Sequence, residues 1–139
     1  MKLVRAISGA SGAIYGIRML QALQAVPHVE THLIMSKYGR MNIELETDYS
    51  PREVEALSAI VHSCADGVIA RAADVTLKER RQLVLMTRET PLHLGHCELL
   101  CKAAKLGAII APPVPAFYNR PQTLEDIVES GYGRRNYCP

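Results

Sequence analysis

The run KLVRAI, then SGASG, then AIYGIRMLQALQAV at the start of the chain constrains the fold most. Its first piece reads as a short strand, its second as a tight turn and its third as a helix. Gly9, Gly12 and Gly16 carry no Cβ, which suits a backbone bent outside ordinary φ/ψ space or the close approach of a ligand. A strand that turns directly into a helix leaves the first helical N–H groups without intrahelical partners. The helix dipole adds partial positive charge at the same place, so such a turn is a ready anion site. A plain tight βα turn is the alternative on local pattern alone. The spacing is not G-x-G-x-x-G, so it is not a dinucleotide fingerprint.

The same alternation continues along the chain. VETHLIMS (29–36) predicts a second strand and 38–46 a helix. Ser50, Pro51 and Glu53 form a capping signature that opens another helix. A helical pattern covers about 65–80, QLVLMT (82–87) predicts a buried strand, and HLGHCELLCKAAKLG a helix stopped by Gly107. AIIA (108–111) predicts a last short strand, followed by the Pro-rich loop PPVPAFYNRPQ and a helix capped by Thr123 and Asp126. Two stretches interrupt the pattern. SAIVHSCADG joins two helical patterns with no strand expected between them, and SGYGRRNYCP abandons helical periodicity.

Alternating β and α elements with apolar strands imply an α/β protein, its parallel sheet covered by helices on both faces. Ligands in such folds sit beyond the carboxyl ends of the strands. Ser8 to Ser11, Ser36, Arg88, Glu89 and the Pro/Tyr loop all fall on that edge, which argues for one shared site. With 139 residues the chain makes a single domain with a real core. A net charge of +2 implies neither nucleic acid nor a membrane surface as partner. No apolar run approaches the roughly 20 residues of a membrane helix and no signal-peptide pattern opens the chain, so a cytoplasmic protein is expected.

Cysteines at 64, 97, 101 and 138 are not expected to form disulfides in that compartment. His93, Cys97 and Cys101 could share a helix face in the manner of metal ligands, but no CxxC pair or second ligand cluster accompanies them. No metal is expected.

Several long blocks are similar to the UbiX-like flavin prenyltransferases, long described as aromatic-acid decarboxylases. They are ISGASGAIYG, ETHLIMSK, LETD, RAADVTLKERRQLVLMTRETPLHLGH and GAIIAPPVPAFYNRPQTLEDIV, in the family's order over nearly all of residues 2–128. The resemblance implies a flavodoxin-like, Rossmann-related sheet assembled into a homododecamer with FMN between subunits. It also implies transfer of a dimethylallyl group from dimethylallyl monophosphate to N5 and C6 of reduced FMN. The product would serve a UbiD-type decarboxylase, as in ubiquinone biosynthesis. Residues 1–129 then form one flavoprotein-type domain and 130–139 a divergent tail.

Carried over residue by residue, the resemblance makes Gly9, Ala10 and Ser11 the first flavin-binding turn and Ser36 a contact after the second strand. It makes Arg88 a flavin-binding cation whose fork of donors suits phosphate or a flavin carbonyl. Glu46, Arg71, Lys78 and Glu89 match residues around the prenyl phosphate and the reacting flavin atoms. Cleaving an allyl–oxygen bond releases phosphate, which Lys78 and Arg71 can receive. A carboxyl must move the C6 proton, with Glu89 the first choice and Glu46 the second. Tyr118 matches a phosphate-binding tyrosine. Taken without the resemblance, Arg88 has the alternative of a surface charge, LKERR that of a solvated helix end and Tyr118 that of an aromatic lodged among prolines. His62 and Cys64 read as structural.

Two departures from the family stand out. Family members carry several dozen more residues between Leu57 and Ser58, including a central strand and a Pro-Cys-Ser-x-Lys-Thr turn for the FMN phosphate. The closing helix with its phosphate-binding basic residue is replaced here by SGYGRRNYCP, where Arg134 and Arg135 align to no role. The alternatives are therefore an impaired homologue that does not bind FMN, or an FMN-dependent decarboxylase of the cysteine-decarboxylating type. The histidine and Asn-containing motifs of that second group do not occur here.

Overall fold

A computed structural model describes residues 1–65 and 67–132. The elements in chain order are β1 (Lys2–Ile7), α1 (Ala13–Gln24), β2 (Glu30–Met35), α2 (Lys37–Glu46) and α3 (Pro51–Ala56). They continue as β3 (Ile60–His62), α4 (Val68–Lys78), β4 (Val84–Leu85), α5 (Leu94–Lys105), β5 (Ile109–Ile110) and α6 (Leu124–Tyr132). A single 3₁₀ turn, Phe117–Asn119, lies in the Pro-rich loop. The tail from 133 onward, with Arg134, Arg135 and Cys138, lies outside the described residues.

Every strand pair is parallel, as the βα alternation requires. The strands form two sheets, not one: β1-β2-β3 and β4-β5. β1 and β2 pair along their full length, from Lys2 opposite Glu30 to Ile7 opposite Met35. β4 and β5 share only Val84 opposite Ile109 and Leu85 opposite Ile110. The Arg5 side chain, from β1, reaches Met86 Sδ just beyond β4 at 3.6 Å, yet no ladder joins those strands.

The sheet order explains where the strand expectations fail. Residues 60–62 were expected to lie between helices without a strand, but they pair with β2 as β3. Ile60 and Val61 are β-branched and suit a pleated edge. Ala59 N–H donates to Thr31, through both its carbonyl and its hydroxyl at 3.1 Å, and pins the entry to β3. His62 Nε2 lies 2.9 Å from His32 Nδ1, with the two rings stacked. QLVLMT and AIIA contract to two-residue strands. The final helix runs on to Tyr132, past the point where helical periodicity fades in the sequence.

The core sits between the first sheet and the helices that follow its strands. Ile7, Ala13, Ile17, Leu20, Leu33, Met35, Ile43 and Val54 form one buried cluster, closed at its rim by Tyr49 and Leu57. In α1 the buried positions 13, 16, 17, 20 and 23 recur at helical spacing, and the helix packs against β1, α2 and α6. The expected caps form. Ser50 and Glu53 make a reciprocal capping box, and Asp126 N–H and the Thr123 hydroxyl do the equivalent at α6. Among the described residues no helix is long and apolar enough to cross a membrane.

Candidate functional site

The turn between β1 and α1 is built by close backbone packing. Gly12 adopts φ +96°, a left-handed conformation that a side chain would strain. A Cβ on Gly9 would lie 2.5 Å from Tyr38 Cβ, and one on Gly39 would lie 2.5 Å from the Ile7 carbonyl oxygen. The missing side chains let the start of α2 lie directly against the end of β1. Ser36 caps α2: its hydroxyl accepts from Gly39 N–H at 3.0 Å, and its own N–H donates to the Ile7 carbonyl at 3.0 Å.

α2 also reaches the turn with side chains. Glu46 Oε2 accepts from Gly12 N–H at 2.8 Å and Ala13 N–H at 3.2 Å, so a carboxylate sits at the N-terminus of α1. Asn42 Nδ2 donates to the Gly9 carbonyl at 2.7 Å. Gly9, Ala10 and Ser11 are exposed, and their turn is thus held from behind and open in front. Sequence reasoning missed Asn42 altogether. Its spacing of one helical turn before Glu46 was the available signal.

A second group lies on α4. Asp74 Oδ2 accepts from Arg71 at 3.0 Å and from Lys78 at 3.1 Å. The two cations, seven apart in sequence, are therefore gathered on one helix face. All three side chains are largely exposed, so these ion pairs carry little stability.

Arg88 and Glu89 follow β4 and are exposed. The Glu89 carboxylate accepts only from its neighbour, Thr90 N–H, at 3.1 Å. Tyr118 stands in the 3₁₀ turn with 87% of its surface free. Among the described residues, no hydrogen bond or ion pair ties Arg71, Lys78, Arg88, Glu89 or Tyr118 to the glycine turn. The structure joins Gly9–Ser11, Ser36 and Glu46 into one cluster and Arg71 with Lys78 into another.

His93 caps α5, its Nδ1 accepting from His96 N–H at 3.4 Å, and the two rings stack. Cys97 and Cys101 are exposed thiols further along the same helix. No group of three side chains able to hold a metal ion occurs among the described residues.

No family model matches the chain. The flavin prenyltransferase UbiX of Escherichia coli strain K12 is 48% identical over 167 residues, covering 96% of this chain and 88% of its own. Those 167 aligned positions exceed the 139 residues of this chain by 28, so the relative carries at least that many positions with no counterpart here. The crystal structure of AnUbiX (PadA1) in complex with FMN and dimethylallyl pyrophosphate superposes with a TM-score of 0.92 at 38% identity, over 95% of this chain and 88% of that one. The dodecameric FMN-dependent UbiX-like decarboxylase from Escherichia coli O157:H7 also gives 0.92, at 40% identity, over 95% and 91%. A parallel α/β fold, a backed glycine turn and this degree of identity along nearly the whole chain lead to one assignment: the chain belongs to the UbiX-like flavin prenyltransferase family.

Proposed function

We propose that this chain transfers a dimethylallyl group from dimethylallyl monophosphate to reduced FMN, making prenylated FMN for a UbiD-type decarboxylase. The observation that carries the reading is the glycine turn, gripped from behind by α2 with its exposed face free for a flavin. AnUbiX, in complex with FMN and dimethylallyl pyrophosphate, supports it from a neighbouring fold.

The residues at the turn suit the flavin nucleotide. Gly9, Ala10 and Ser11 present a small, exposed surface, and their backbone can lie closer to a ring than bulky side chains would allow. Ser36 stands beside them and Arg88 supplies a guanidinium fork. When bound, reduced FMN supplies the two nucleophilic positions, N5 and C6. The transfer would break the allyl C–O bond, its electrons leaving with phosphate while an N5–C bond replaces N5–H. The alkene π pair would make the bond to C6, one proton being added to the alkene and the C6 proton removed. Lys78 and Arg71, gathered by Asp74, hold the departing phosphate, and the Tyr118 hydroxyl adds a donor. Glu46 is occupied by the two N–H groups of α1, whereas the Glu89 carboxylate has one local donor. Glu89 would therefore take the C6 proton, and Glu46 secures the turn.

Residues 1–129 work as one domain on this reading. Both substrates are charged and water-borne, which goes with a cytoplasmic location. The bare apolar side chains of α5 and the Pro-rich loop go with a homo-oligomer, a dodecamer being the form of one neighbour.

The test is an anaerobic titration of the full chain with reduced FMN and dimethylallyl monophosphate, read by the mass of retained flavin. The expected product is FMN heavier by one dimethylallyl group, and Glu89→Gln lowers its rate by about 10²-fold or more. Retention of unmodified FMN, or of none, rejects the proposal.

A further inference from the structure

Of the groups that hold the glycine turn, Asn42 is the one the proposed chemistry does not use. The Gly9 carbonyl can only accept a hydrogen bond, so the amide nitrogen of Asn42 faces it, at 2.7 Å. The Gly9–Ala10 peptide is trans. In a trans peptide the carbonyl and the following N–H lie in one plane and point in opposite directions. Drawing the Gly9 carbonyl toward α2 therefore turns the Ala10 N–H away from α2, onto the exposed side of the turn. Among the described residues, neither the Ala10 nor the Ser11 N–H has an acceptor. One turn further along α2, Glu46 fixes Gly12 and Ala13 from the same side. The exposed donors thus lie between two anchors on a single helix.

We propose that Asn42 is a positioning residue of the flavin-binding turn, setting the direction in which the Ala10 N–H is offered to an acceptor oxygen of the flavin nucleotide. The inference rests on the reading of this chain as an FMN-binding prenyltransferase. Asn42 touches neither substrate and acts only through the peptide that follows Gly9.

Asn42→Ala and Asn42→Asp test it in the full chain. Removing one neutral hydrogen bond raises the FMN KM about fivefold in Asn42→Ala. The KM for dimethylallyl monophosphate, whose cations are on α4, stays within about twofold. Asn42→Asp is affected more strongly, because its carboxylate opposes the Gly9 carbonyl with no donor to offer. Crystal structures of the parent and Asn42→Ala give a readout independent of flavin. The Gly9–Ala10 peptide is expected to rotate, or to take two orientations, once the amide is gone. An unrotated peptide in Asn42→Ala overturns the proposal, as does an unchanged FMN KM in an active chain. If the parent chain fails to prenylate FMN, the functional reading falls, and the peptide orientation alone decides the role of Asn42.

Discussion

Among the described residues, ten buried apolar side chains lie between Ile7 and Val54, and only Ala108 and Ala111 lie beyond them. The first half of the chain closes largely on itself, with α6 from the second half also packed on α1. α1 buries a full stripe, and the β1–β2 ladder runs six residues. The second half does not. Neither α4 nor α5 buries a residue, although both are helices with apolar positions, and β4 and β5 share two residues each. Leu99 in α5 is 65% exposed, while Leu33 in β2 is fully buried. The contrast teaches that the apolar pattern of a helix shows that a face will be covered, but not which molecule covers it. In β1–α2 the cover is intramolecular, and on α5 the proposed second copy would supply it.

That contrast breaks most readily at its two leucines. Leu33→Ala leaves a cavity in the first sheet and is expected to cost about 2–5 kcal/mol in denaturant unfolding. Leu99→Ala in dilute protein is expected to cost less than about 0.5 kcal/mol, with a larger effect appearing only at concentrations where copies assemble. Equal costs in dilute protein would show that the two halves are alike.

A smaller effect sharpens the boundary between the sheets. The Arg5 guanidinium is covered by Met19 and Met86, its Nε has no partner, and burial pushes its pKa down to about 10. The folded state therefore holds a charge that the unfolded chain solvates more freely. Arg5→Met is expected to stabilise the protein by about 1–3 kcal/mol near neutral pH. That gain should shrink as pH rises through about 10, where the folded parent sheds the proton. A loss of stability in Arg5→Met would mean that the guanidinium is a needed bridge between the sheets.

The smallest effect is acidic. A hydrogen bond with His32, and then the Lys2 charge, hold Glu30 below the ordinary carboxylate range. Glu53 is lowered by the Ser50 backbone N–H and hydroxyl, and Asp126 by the N–H groups of Gln122 and Thr123. Each contributes stability that is present above its unfolded pKa and lost as pH falls through its lowered folded value. Melting temperature should therefore decline between about pH 5 and about pH 3. Glu53→Gln should flatten part of that decline, and a profile identical to the parent's would remove Glu53 from the account.

What the sequence discloses divides along the same line. Capping at Ser50 and Thr123, the stop at Gly107, and the β1–α1–β2–α2 order are local signals, readable because each depends on residues within one turn. β3 was missed because Ile60–His62 becomes a strand only beside the open edge of β2, which no short window contains. The split of the sheet is a long-range outcome of the same kind. At the candidate site, the Gly9–Ser11 turn and the pairing of Arg71 with Lys78 could be read from spacing. Asp74 between the two cations and the capping by Glu46 depend on side-chain reach and could not, while for Asn42 the spacing showed a shared face with Glu46 but not the hold on Gly9.

The two-sheet arrangement also bears on how the chain behaves in concentrated solution. β1 ends its sheet, and its outer row of backbone donors and acceptors meets no strand of β4–β5. An uncapped strand edge is a template for disordered association. The exposed Lys2, a charge that neighbouring copies would have to stack, is one guard that β1 carries against it. Colloidal stability would then hinge on a lysine remote from the glycine turn, and neutralising it would favour precipitation over ordered assembly.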